Sequence, residues 1–132
     1  MSLIFLASTD MGSTRNTSRF IGPFLTWLKP NISAEAIHDV QVAVRKAGHV
    51  IGYAILATLT LRALNRGLFN AWTGRSAAMA AGMTVACAFC DEFHQSMVPT
   101  RMGSGWDVLI DAMGGVVGLS VVWTIGRVKR TW

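Results

Sequence analysis

The run Cys90-Asp91-Glu92-Phe93-His94-Gln95-Ser96-Met97-Val98-Pro99-Thr100-Arg101, followed closely by Asp107 and Asp111, lies between two apolar stretches, residues 77–89 and 108–125. A charge at the centre of a lipid-facing helix costs roughly 2.5 to 3.5 kcal/mol. Polar groups this dense at the edge of apolar helices must therefore face one another, an aqueous cleft or a ligand. Composition sides with a membrane setting. Charged residues make up 14% of the chain, against about a quarter in ordinary soluble domains, and mean hydropathy is positive. The length of 132 residues allows one domain, 1–132. A net charge of +5 would suit a nucleic acid, but the basic residues gather at the ends of apolar runs. Arg62, Arg66 and Arg75 share one connection, and Arg127, Lys129 and Arg130 form the tail. The positive-inside bias produces such clusters, whereas a nucleic-acid surface joins its basic residues into one patch with aromatics. No nucleic-acid partner is expected.

Taken in order, residues 1–8 are apolar but too short to cross a bilayer, which takes about 20 residues. They read as the end of a longer first helix or as a short inserted segment. Residues 9–20, rich in Gly, Ser and Thr, are expected to form a loop. Residues 21–28 around Pro23 suit an interfacial turn of helix with Trp27 at headgroup level. Ser33 is placed to cap a helix that carries Glu35 in its first turn. Apolar spacing through Ile37, Val40, Val44 and Val50 into residues 51–64 predicts one long helix, amphipathic at first and membrane-embedded from about Gly48. A basic connection, residues 65–74, leads to a span over residues 76–89, which reaches membrane length if residues 91–95 continue the helix. Residues 99–105 break it, and residues 107–125 form the last span, with Gly114 and Gly118 as a close-packing face that also offers an oligomer contact. The expected fold is an all-α integral membrane bundle with three clear spans plus a short or truncated first helix. The basic clusters put the C-terminus in the cytoplasm and residues 91–106 on the outer side. Cys87 and Cys90 form a C-x-x-C pattern inside an apolar run, where cysteine acts as a small hydrophobe. Met79, Met83, Met97, Met102 and Met113 are packing residues, and Trp27, Trp106, Trp123 and Trp132 are interfacial anchors.

Three polar stripes reach the same depth. Arg45, His49 and Tyr53 recur at i, i+4 and i+8, with Lys46 alongside. Asp91 and Gln95 are four apart, as are Asp107 and Asp111, and residues at this spacing share a helix face. Converging under the loop that carries Arg101, they would form one cleft. Arg101 with Arg45 or Lys46 can hold a phosphate or carboxylate. Glu92, Asp107 or Asp111 can serve as a general base, and His49 and His94 can move protons. Asp, Glu and His are also metal ligands, but no ligand motif such as H-E-x-x-H is present; no metal and no cofactor is assigned. Ser96 and Ser104 lack a nucleophile motif. The plain alternative is that charges pair to hold helices together, as Asp111 with Arg101 would. A structural pair needs two partners, however, and this set has eight polar residues on three helices.

Arg45-Lys46-x-x-His49-x-x-x-Tyr53, Asp91-Glu92-x-His94-Gln95, Pro99-x-Arg101 and Asp107-x-x-x-Asp111 with Gly114, Gly115 and Gly118 together resemble the VanZ-like family of small bacterial membrane proteins. The resemblance is strongest over residues 45–118. It implies four membrane helices with both termini cytoplasmic, a place in the cell envelope, and low-level resistance to glycopeptides of the teicoplanin type. It implies no particular reaction. Two departures stand out: the family usually has Asn where this chain has Asp111, and a full first span where this chain has residues 1–8. The expected protein is a multi-pass protein of the bacterial cytoplasmic (inner) membrane. Its outward-facing cleft of Lys46, His49, Glu92, Gln95, Arg101, Asp107 and Asp111 would bind an anionic lipid or a lipid-linked envelope precursor. If it has a reaction, Glu92, His49, Asp107 and Asp111 are the catalytic candidates. The rivals are an accessory protein whose polar residues only fix helix packing, and an acid/base enzyme acting on lipid headgroups.

Overall fold

Helix caps mark the architecture first. In a computed structural model, Ser33 Oγ accepts from the Ala36 N–H at 3.2 Å, and Thr73 Oγ1 accepts from the Ser76 N–H at 3.1 Å. Each satisfies one of the orphan donors of a helix start. The structure describes residues 14–65, 72–97 and 105–129, with backbone alone for residues 14–20. They form four helices: α1 (Thr14–Leu28), α2 (Ala34–Leu64), α3 (Gly74–Ser96) and α4 (Gly105–Val128). Residues 1–8, Arg66, Pro99, Arg101, Met102, Ser104, Arg130 and Trp132 lie outside the described residues.

The fold is all-α, as expected, with one local correction. Residues 14–20 are helical, the first half of α1, where a loop was expected. Their Ser/Thr content is only mildly unfavourable to helix, while Phe20, Phe24, Trp27 and Leu28 recur at helical spacing. Pro23 sits inside α1, and the Thr26 hydroxyl donates to the carbonyls of Gly22 and Pro23 at 3.1 and 3.0 Å.

Helices α2 and α4 are long and apolar enough to cross a membrane. Helix α3 has 23 residues, enough length for a crossing, because residues 91–96 continue it and bring the polar run with them. The chain falls into two compact units, Met1–Gly48 and His49–Trp132. The first holds α1 and the opening turns of α2. There Phe24, Trp27 and Leu28 are exposed on one side of α1, while Gln41 on α2 is buried.

In the second unit, the rest of α2 packs with α3 and α4. The seam between α2 and α4 is made of backbone. A Cβ on Gly114 would lie 2.5 Å from the Val50 carbonyl oxygen, and one on Gly118 would collide with that of Ala54. Next to that face of α4, a Cβ on Gly115 would lie 2.9 Å from Thr84 Cγ2 of α3. Close approach through small residues is how helices associate where lipid supplies no hydrophobic drive. The Gly114/Gly118 face, expected to offer an oligomer contact, is thus covered within the chain by α2.

Burial in this unit is the reverse of a water-soluble domain. Thr84, Gln95 and Asp111 are buried, as is Tyr53, while Ile51, Ile55, Leu59, Met83, Phe89, Met113, Val117 and Val121 are exposed. A continuous apolar exterior of this kind marks contact with lipid or another apolar phase. The dry interior is Ala57, Leu61, Ala80, Leu119 and Val122, with Trp72 against it. Trp106 and Trp123 are both exposed and seventeen residues apart on α4, roughly 26 Å at the helical rise. That separation suits anchors at the two faces of a hydrocarbon core of about 30 Å. The guanidinium of Arg127 lies 5.2 Å from the Trp123 ring centroid.

Candidate functional site

A polar layer closes the other end of this unit. It grows from helix spacing: His49 and Tyr53 are one turn apart on α2, Asp91 and Gln95 one turn apart on α3, and Asp111 lies a turn and a half into α4. Asp91 and Asp111 each sit roughly 8–9 Å in from the nearer end of their helix. Tyr53 packs on Ala88 and Val108, with Leu56 and Cys87 around them, so the layer rests on an apolar floor.

Within it, Asp91 Oδ2 accepts two hydrogen bonds, from the Tyr53 hydroxyl and from Gln95 Nε2, each 3.3 Å. His49 Nδ1 lies 3.4 Å from Asp111 Oδ2 in hydrogen-bonding geometry, and 3.3 Å from Oδ1. Among the described residues Oδ1 nevertheless has no hydrogen-bond partner, although its residue is only 2% exposed. The rings of His49 and Tyr53 stack, centroids 6.4 Å apart. The two hydrogen bonds set the orientation of the Asp91 carboxylate, and the Asp111 carboxylate orients the imidazole. His49, Asp91 and Asp111 each offer one ligand atom, and these atoms lie within 4.8 Å of one another. Imidazole nitrogen and carboxylate oxygen are both metal ligands.

Of the residues expected to line a cleft, the structure brings together His49, Gln95 and Asp111. Glu92 on α3 and Asp107 in the first turn of α4 are half-buried, while Lys46 is exposed and Arg45 half-buried in the N-terminal unit. Arg101 lies outside the described residues. Two members of the layer were not among the expected ligand-binding residues: Asp91 and Tyr53. Both stood on the polar stripes, so the signal was their spacing, but the sequence favoured Glu92 over its neighbour. The metal-capable set also went unassigned, because its three ligands come from three helices and form no motif. Asp111 pairs with His49. Cys87 and Cys90 are free thiols, half-buried and exposed respectively.

Comparison with known families finds one model, described as VanZ/LLP1, that matches residues 1–126. Comparisons with the curated proteins and with the solved structures find no match.

Proposed function

The chain belongs to the VanZ/LLP1 family, and from that premise we propose that it is an envelope protein of the bacterial cytoplasmic membrane. In this reading the polar layer is a binding site for an anionic lipid headgroup or a lipid-linked envelope precursor, and occupancy of that site lowers susceptibility to glycopeptides of the teicoplanin type. One observation carries the reading: a hydrogen-bonded set of His49, Tyr53, Asp91, Gln95 and Asp111 lies inside a unit whose exterior is apolar. Ionisable groups at membrane depth are costly and mark functional sites more often than structural ones. The layer lies about a turn and a half below Trp106, within reach of the water interface. Glu92 and Asp107 would extend the site toward the headgroup, and Arg101 is the cation proposed to meet its negative charge. The C-terminus, with Arg127 and Lys129, would then be cytoplasmic by the positive-inside bias, and the polar layer would open outward.

The test is glycopeptide susceptibility in a susceptible host, comparing wild type with Asp91→Asn and Arg101→Ala at matched membrane levels. Wild type is expected to shift susceptibility, and the two variants to accumulate normally without shifting it. If the variants match wild type, the binding-site reading fails. If they fail to accumulate, the polar layer serves helix packing and the protein is better read as a structural accessory.

A further inference from the structure

We propose that His49, Asp91 and Asp111 bind a single divalent transition-metal cation of the Zn2+ or Mn2+ kind. The proposal stands on the geometry of the layer and holds whichever molecule the protein acts on. Three ligand atoms from three different helices lie within 4.8 Å of one another. An acidic cluster alone would carry little weight, but here a second observation points the same way. Asp111 is 2% exposed, and its Oδ1 has no hydrogen-bond partner among the described residues. That orphaned oxygen is 3.3 Å from His49 Nδ1, about the edge length of a tetrahedron of ligands around Zn2+ at 2.0–2.1 Å. A cation seated there would satisfy Oδ1, which no hydrogen bond among the described residues does.

The remaining features fit a ligand set better than a simple ion pair. A metal-bound carboxylate is normally held by outer hydrogen bonds, and Asp91 has two, from Tyr53 and Gln95. One nitrogen and two carboxylate oxygens suit a borderline dication rather than a thiophilic one. Three protein ligands leave coordination positions open to water or to an oxygen of a bound molecule. The backbone seam of Gly114 and Gly118 against Val50 and Ala54 sets the spacing of α2 and α4, and with it that of His49 and Asp111.

The experiment uses the full chain purified in detergent. Zn2+ alone and Mn2+ alone are each added, unbound metal is removed, and retained metal is counted per chain. Wild type should retain one equivalent of at least one of the two metals. Asp111→Asn and Asp91→Asn, close in shape to wild type, should bind at least about tenfold more weakly, and Tyr53→Phe roughly tenfold more weakly through the loss of an outer hydrogen bond. His38→Ala combined with Cys90→Ser, which removes other metal-capable groups, should retain the metal. The proposal is overturned if wild type retains neither metal, which requires no variant to fold. It is equally overturned if folded Asp111→Asn and Asp91→Asn, checked by helical content and elution volume, retain as much as wild type.

Discussion

The same three helices build two unlike layers in the unit His49–Trp132. At one end, Ala57, Leu61, Ala80, Leu119 and Val122 form an apolar cluster. At the other, His49, Tyr53, Asp91, Gln95 and Asp111 spend their contacts on hydrogen bonds. Between them lies the seam of Gly114, Gly115 and Gly118. In lipid, burying an apolar side chain between helices gains no transfer free energy, since the tails are as apolar as the core; what remains is packing. The dry layer and the seam therefore hold the helices together by fit. Interhelical hydrogen bonds in membrane proteins average only about 0.6 kcal/mol, so the polar layer adds little to stability for the number of groups it buries. That imbalance between the cost of embedding these groups and their return in stability is what the binding-site proposal accounts for.

This contrast breaks or sharpens by substitution. The largest stability effect is expected at the seam. Gly118→Val drives a side chain into the Ala54 backbone, and its overpacking should cost about 3 kcal/mol, read as lost membrane accumulation or a lower Tm in detergent. Leu61→Ala, in a fully buried position, should cost about 2 kcal/mol through the cavity it leaves, by the same measurement. Tyr53→Phe should cost about 0.6 kcal/mol, yet abolish the shift in glycopeptide susceptibility. Smallest of all, Thr84→Val removes a hydroxyl that only bonds the Ala80 carbonyl one turn back on its own helix, and Tm should move by less than about 0.5 kcal/mol equivalent. If Tyr53→Phe proves as damaging to Tm as Gly118→Val, the polar layer is a packing element and the contrast collapses.

Much of this is legible in the chain itself, for reasons that can be named. Helical spacing put His49 with Tyr53 and Asp91 with Gln95, and the cap at Ser33 placed the start of α2. Gly114 and Gly118 announced a close approach, but spacing cannot say whether the partner is another copy or a helix of the same chain; only the contact with Val50 and Ala54 decides that. Asp91 and Glu92 were indistinguishable for a related reason. Neighbours on a helix point about 100° apart, and which one faces inward depends on how the whole helix is rotated against α2. The helix over residues 14–20 was hidden by composition, since Ser and Thr also favour turns. The cation-capable set was hidden by topology, its members being far apart in sequence.

The interval between Trp106 and Trp123 also bears on which membranes suit the protein. At roughly 26 Å it is a few ångströms short of an average hydrocarbon core, a mismatch that helices commonly meet by tilting or by thinning the lipid around them. Helix α4 cannot tilt alone, because its glycines are in backbone contact with α2. The pair must lean together, which leaves the alignment of His49 with Asp111 unchanged while altering how deep both lie. Acyl-chain length would then act as a dial on the access of water to these two residues, without loosening the fold that holds them.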